Sequence, residues 1–301
     1  MRIAVTGGTG FLGKYVVEYI KKENYTPLII SRNITDNSKK DYEWRITNYT
    51  KEDLIDKLFD VDAVVHLAAT RGSQGMISEF HDNEILTQNL YEACYELNIT
   101  NIVYASSISV YSNEKLLPWT EEQPPLPKLM YGVSKLACEY IGNIYSEKKG
   151  LHVKNLRFAH LYGFNEKNNY MINRFIRQAF HREQLVLHAK SVAQREFLYA
   201  KDAAKAVVCA LKQGKLSGTF NIGSGEALTN YDVANHINNI FENKGNLLIE
   251  DPTADEGIRS SYMDSSKAKS VLGFWPDYTF SEALTEIRTL MKGLDYVPLW
   301  Y

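Results

Sequence analysis

The chain has 301 residues, 45% of them hydrophobic, enough to bury a sizeable core without disulfide or metal staples. Its formal net charge of −2 comes from 34 basic and 36 acidic residues spread along the chain, which argues against a basic face for nucleic acid or for an anionic membrane. Three scattered cysteines in helix-like segments (Cys94, Cys138, Cys209) and the absence of a membrane-length apolar run lead us to expect a cytoplasmic protein with reduced thiols and no metal or membrane partner.

Arg2-Ile3-Ala4-Val5 reads as a short buried strand. Thr6-Gly7-Gly8-Thr9-Gly10-Phe11-Leu12-Gly13 follows at once and runs into an apolar stripe of Val16, Val17 and Ile20, the pattern of a helix. Strand, glycine turn and helix are the context of a dinucleotide site. Gly7 permits the tight turn, Gly10 lets backbone amides approach a pyrophosphate, and Gly13 lets the helix pack close. The helix N-terminus, with Phe11 and Leu12 beside it, turns free N–H groups toward the phosphates. No charged-then-apolar leader precedes Arg2, and no internal repeat or low-complexity tract interrupts the chain.

Pro27 to Arg32 reads as a second strand, whose end meets the adenosine ribose in such folds. An acidic residue there selects NAD; this chain has Ser31 and Arg32, which suit a 2′-phosphate, so NADP stays open, as does Arg32 as a solvated loop residue. Asp62 to Ala69 is a third apolar strand ending in Leu67, Ala68 and Ala69, small enough in part to admit a ligand. His66 within it reads as a core histidine. A helix is predicted from about Phe80 to Leu97, then a strand from Asn101 to Ser107 ending in hydroxyls. This alternation predicts an α/β fold with a doubly wound parallel sheet.

The acidic, proline-containing run Trp119 to Pro127 reads as a surface loop. It leads to Tyr131-Gly132-Val133-Ser134-Lys135. Residues four apart share a helix face, so the Lys135 ammonium is expected under the Tyr131 phenol, lowering its pKa toward that of a usable acid or base.

With these motifs the chain resembles the extended short-chain dehydrogenase/reductase superfamily, in its nucleotide-sugar epimerase and dehydratase branch. The resemblance runs nearly end to end. It includes His66-Leu67-Ala68-Ala69, Asn83 with Thr87, Ser106-Ser107, Leu156 to Gly163, Arg195 to Tyr199 with Asp202, Asn221 to Gly225, and Asp264 to Phe274. It implies a Rossmann domain of 1–163 plus 195–223, with a smaller carboxyl-terminal substrate lobe of 164–194 plus 224–301. It implies that Tyr131 exchanges the proton of a sugar hydroxyl, that Ser107 shares that hydrogen bond, and that Lys135 holds the nicotinamide ribose. Leu156 to Gly163 would be the strand that passes the nicotinamide, with Phe158 within it, and Arg195 would face a nucleotide diphosphate. The helices around 83–97 and 131–150 would form a homodimer's four-helix bundle.

The resemblance also separates reactions. Relatives that eliminate water across C5 and C6 carry an Asp-Glu pair after the serine corresponding to Ser107, and decarboxylating relatives need a glutamate in that loop. This chain has Ile108-Ser109, so the proton shuttle for dehydration is missing. What remains is oxidation at C4 and reduction from the other face, a 4-epimerase that keeps its NAD. Counting back from Asp264, Ser261 falls where plain-sugar epimerases have a bulky tyrosine and N-acetyl-accepting ones a small residue. That favours UDP-N-acetylglucosamine, with UDP-glucose also accepted, while simple loop variation stays open. The chain departs from the family at Arg45, where an aspartate usually meets adenine, and at His160, where an asparagine commonly meets substrate. An arginine expected near Ala254 is missing, and Arg259 is the candidate to replace it. An NADPH-dependent 4-ketoreductase is the competing enzyme, and a silent dinucleotide-binding module the competing non-enzyme.

Overall fold

The computed structural model describes residues 1–33, 42–71, 75–190, 192–255 and 257–300. Residues 34–41 and 72–74 of the expected Rossmann part, and 191, 256 and 301 of the expected lobe, lie outside the described residues. The elements follow in order: β1 (Arg2–Thr6), α1 (Phe11–Lys22), β2 (Thr26–Ser31), β3 (Glu43–Ile46), α2 (Lys51–Leu58), β4 (Ala63–His66), α3 (His81–Glu96), β5 (Asn101–Ser107), α4 (Met130–Lys149) and β6 (His152–Phe158). Then come β7 (His160–Tyr162), α5 (Met171–Phe180), β8 (Leu185–Leu187), β9 (Gln194–Tyr199), α6 (Ala200–Lys212), β10 (Gly218–Ile222), β11 (Ala227–Thr229), α7 (Asn230–Ile240), β12 (Leu247–Ile249) and α8 (Phe280–Lys292).

Among the described residues, seven strands form one parallel sheet in the order β10-β6-β5-β4-β1-β2-β3. β1, β2 and β4 in its middle are largely apolar because helices cover both faces. Alternation along β1 sorts the side chains. Ile3 and Val5 join Val16, Val17 and Ile20 of α1 and Val207 of α6, whereas Ala4 joins Leu54 of α2, Leu90 of α3 and Cys138 of α4 on the other face. From β1 the chain builds outward to β2 and β3, then returns to build β4, β5, β6 and β10 on the other side. The order therefore reverses between β1 and β4, and a ligand crevice opens at their carboxyl ends. The doubly wound expectation holds.

Two smaller sheets lie in the carboxyl-terminal part, β11-β9-β7 and the pair β12-β8, with α5, α7 and α8 packed around a separate apolar cluster. Several local expectations are corrected. The stretch from Leu156 to Gly163 is not one strand: β6 ends at Phe158, Ala159 donates to the Ile222 carbonyl at 3.0 Å, and β7 pairs with β9 in another sheet. The chain thus crosses from sheet to sheet at Ala159. Trp119 is buried rather than at the surface, stacked on Tyr111 at 5.3 Å with its indole N–H donating to the Asn113 carbonyl at 2.8 Å. The sequence reading also missed β3 and α2, short elements of mixed polarity. The three cysteines are free thiols, and no described helix is long and apolar enough to cross a membrane.

Candidate active site

A cavity of about 780 Å³ opens at the switch point. Its floor is the glycine turn. Gly7 has φ +70°, and a Cβ there would come within 2.7 Å of the Ala68 nitrogen, so only glycine lets the turn lie against the chain leaving β4. Gly13 serves the turn more than the strand: its Cβ would fall 2.2 Å from the Gly7 carbonyl. At Gly10 a Cβ would approach only the Gly7 carbonyl, at 3.2 Å, leaving the rest of the turn's mouth open. Gly10 also caps α1, whose first turn carries no acidic residue, so its N–H groups and positive dipole end are free for an anion. The turn fits a pyrophosphate.

Every residue predicted for the cofactor lines this cavity: Gly7, Gly10, Phe11, Leu12, Gly13, Ser31, Arg32, Leu67, Ala68, Ala69, Lys135 and Phe158. Tyr131, Ser107, His160 and Arg195 line it too. Ser31 bonds within its own turn, its hydroxyl donating to the Asn33 carbonyl at 2.9 Å, and Arg32 stands 6.0 Å from the Tyr49 ring. Arg45 points elsewhere. It pairs with Asp60 at 2.7 and 3.0 Å and with Glu43 at 3.1 Å, which explains the departure at that position as a surface ion-pair cluster. Arg259 is exposed and is not among the lining residues.

The helix that carries Tyr131 and Lys135 is tightly seated. Gly132 has the Ser109 carbonyl where a Cβ would be, 2.2 Å away, which brings α4 against the end of β5. Lys135 is buried, and its ammonium donates to the Ala105 carbonyl at 2.8 Å while standing 5.0 Å from the Tyr104 ring and 5.7 Å from the Tyr131 ring. Burial lowers Lys135 to about 8. One expectation is corrected here. The Tyr131 phenol is not lowered by Lys135 but pushed up to about 12 by burial, and the opposing charge that matters most is Arg71. Desolvation of the phenolate outweighs an ammonium already bonded to a backbone carbonyl.

Ser107 ends β5 with its hydroxyl accepting from the Ser109 amide at 3.2 Å and the Ser109 hydroxyl at 3.0 Å. Ile108 is buried in the core, so the short 3₁₀ turn after Ser107 offers the cavity a hydroxyl and no carboxylate. Among the described residues, the cavity's carboxylate is Glu166, gripped at 3.0 and 3.1 Å by Arg71. The sequence reading missed this pair, which joins residues 95 apart and has no local signature.

His160 and Ser261 meet. The imidazole Nε2 lies 3.0 Å from the Ser261 hydroxyl, and the Arg195 guanidinium is 3.4 Å from the same nitrogen. Burial and then Arg195 hold His160 well below the usual histidine range, so the ring is neutral. Ser261 is pinned to β9 by its own backbone: its amide donates to the Gln194 carbonyl at 2.8 Å, and its carbonyl accepts from Glu196 at 2.9 Å. Ser261 therefore reaches the cavity through His160. His66 is the core histidine expected, fully buried between Thr6 at 2.8 Å and Thr87 at 3.0 Å. Asn83 of α3 ties the site together, clamping the Thr70 main chain through its amide at 2.7 and 3.1 Å and donating to Ser134 of α4 at 3.2 Å.

Residues 3–223 match the family described as NAD dependent epimerase/dehydratase. The chain belongs to that family. The epimerase/dehydratase fold extends to the whole chain. It superposes on the crystal structure of UDP-N-acetylglucosamine 4-epimerase from Bacillus cereus with a TM-score of 0.94 and 72% identity, covering 100% of both chains. It is 31% identical to an uncharacterized UDP-glucose epimerase of Bacillus subtilis, over 98% of this chain and 99% of that one. It is 25% identical, with a TM-score of 0.84 over 97% of this chain and 99% of the other, to the Bacillus cereus UDP-glucuronic acid 4-epimerase solved with UDP-glucuronic acid and NAD.

Proposed function

We propose that this protein is an NAD-dependent UDP-N-acetylglucosamine 4-epimerase that also accepts UDP-glucose, working in the cytoplasm as a homodimer. The observation that carries the reading is the convergence of Tyr131, Ser107 and Lys135 on the cavity of the glycine turn, where Ile108 and Ser109 supply no dehydrating carboxylate. The nicotinamide, when bound, supplies a reversible hydride acceptor for C4 of the sugar. Tyr131 takes the proton of the C4 hydroxyl and returns it after the keto sugar has turned, Ser107 shares that hydrogen bond, and the Lys135 ammonium holds the ribose. Arg195 and His160 bind the diphosphate end and the sugar, and the small Ser261 leaves room for a 2-acetamido group. In this reading residues 1–163 with 195–223 hold the dinucleotide, and 164–194 with 224–301 hold the nucleotide sugar.

The purified enzyme, denatured to release its dinucleotide and assayed natively with UDP-N-acetylglucosamine and no added cofactor, tests this directly. Bound NAD and NMR signals of the galacto epimer are expected. Ser31 and Arg32 at the end of β2, where no carboxylate stands among the described residues, favour a second reading, an NADPH-dependent 4-ketoreductase. Absence of bound dinucleotide and of epimer, with NADPH consumed by a 4-keto sugar, is its signature.

Ser261→Tyr is expected to lower kcat/KM for UDP-N-acetylglucosamine roughly 10–200-fold relative to UDP-glucose, the range a pocket gains by sterics alone. Equal losses on both sugars would remove Ser261 from the specificity argument. For the dimer, α4 leaves Val133, Tyr140 and Ile144 exposed on one helix face, with Ile85 and Tyr95 exposed on neighbouring α3. An apolar stripe of this kind calls for a partner surface. Ile144→Asp should shift the sedimentation of the pure protein from dimer to monomer, and a wild-type protein that sediments as a monomer would end the dimer proposal.

A further inference from the structure

Arg71 follows β4 and lines the cavity, yet none of the roles assigned above uses it. Its guanidinium donates through Nη1 to Glu166 at 3.1 Å and through Nη2 at 3.0 Å. This fork fixes the plane of the group as well as its position. The Glu166 side chain is 1% exposed while that of Arg71 is 59% exposed, so the carboxylate is the buried anchor and the guanidinium the face presented to the cavity. Both ends of the pair are fixed to the backbone. The Glu166 carbonyl accepts from Arg177 at 3.3 Å, and Thr70, just before Arg71, is clamped by Asn83, whose amide also holds Ser134 of the helix that carries Tyr131. Arg71 and Tyr131 are thus registered to one another through a single side chain.

We propose that Arg71, held by Glu166, is a positioning residue for the reaction: its positive charge stabilises the phenolate of Tyr131 that accepts the proton of the sugar hydroxyl. The proton moves from that hydroxyl to the phenolate oxygen and later returns, and Arg71 itself gains and loses nothing. The inference rests on the 4-epimerase reading. The charged and titratable groups around Tyr131 are Lys135 and Cys138 of its own helix, Tyr104 of β5, Arg71 and Glu166 from the loops after β4 and β7, Tyr170 ahead of α5, and His160 with Arg195 along the same cavity. Of these, Arg71 leads in opposing the burial that raises the phenol, while Cys138 adds to the rise. Lys135 spends its ammonium on the Ala105 carbonyl.

The test is the pH profile of epimerisation by the holoenzyme with UDP-N-acetylglucosamine, for Arg71→Met, Arg71→Lys and the double variant Arg71→Met/Glu166→Gln. Removing a nearby opposite charge moves an acid's titration by about one unit or more. Arg71→Met is therefore expected to shift the rising limb of kcat alkaline by about one pH unit and to lower kcat at pH 7 about tenfold with KM little changed. Arg71→Lys should recover most of this, and the double variant should keep the alkaline shift. The proposal is overturned if KM rises with kcat unchanged, if lysine rescues nothing, or if the double variant restores the wild-type limb, because the stranded Glu166 carboxylate would then be the cause. Tyrosinate difference absorbance between each protein and its Tyr131→Phe counterpart reads the same shift without turnover, so a failed epimerase reading is distinguishable from a failed role for Arg71.

Discussion

Replacing Tyr131 by phenylalanine is expected to lower kcat for epimerisation by about 10²–10⁴-fold, the range that positioned proton transfer contributes, with KM for the nucleotide sugar little changed. The ring itself stays in place, because it packs 6.0 Å from Phe80 and sits on a helix whose Gly132 is seated against Ser109. What disappears is the phenol that takes and returns the proton. Ser107 accepts from Ser109, the Lys135 ammonium donates to the Ala105 carbonyl, and His160 is a neutral ring engaged with Ser261 and Arg195. Initial rates at saturating UDP-N-acetylglucosamine, with bound dinucleotide verified for both proteins, make the comparison. A Tyr131→Phe enzyme within tenfold of wild type would remove the proton-transfer role from this residue.

Glu139→Ala is expected to cost about 3–5 kcal/mol of stability, the loss typical of a buried ion pair deprived of one partner. Glu139 and Arg157 are both buried, joined at 2.6, 2.9 and 3.2 Å. Ser106 donates to Glu139, and Arg157 donates on to the Tyr111 hydroxyl, which in turn donates to Asn221 at 3.0 Å. This chain of bonds runs from α4 through β5 and β6 to β10. Its members are neighbours of the site: Glu139 is one turn beyond Lys135, Ser106 precedes Ser107, and Arg157 precedes Phe158. Alanine leaves the buried guanidinium without its carboxylate and bonded to the neutral Tyr111 hydroxyl, whereas Glu139→Ala combined with Arg157→Met removes the unpaired charge and should recover part of the loss. Shifts in the urea midpoint at unchanged slope measure both variants. A loss under about 1 kcal/mol in the single variant would mean that water reaches the pair.

The glycine turn, the tyrosine and lysine four apart, the small residues after β4 and the hydroxyls ending β5 were all legible in the sequence, and all lie on the cavity. Each is a short-range pattern whose chemistry is carried by residues a few positions apart: a positive φ at Gly7, a shared helix face, a strand end. The element boundaries of α3 were equally legible, since Phe80 and Leu97 are its flanking caps. The passage from β6 to β7 was not, because a continuous strand-like stretch does not record which sheet its hydrogen bonds join. Nor did Trp119 within an acidic loop reveal that it stacks on Tyr111.

By itself, then, the amino-acid order determined the glycine turn, the placing of Tyr131 and Lys135 on one helix face and the alternation that forces a parallel sheet, because those depend on local backbone geometry and hydrophobic period. Only the tertiary structure decided the electrostatics. The Arg71 grip on Glu166, the Glu139–Arg157 pair and the meeting of His160 with Ser261 join segments up to 101 residues apart, and the desolvation that raises the Tyr131 phenol is a property of the assembled cavity. Distance and desolvation set the strength of a charge, and neither exists until the chain has folded.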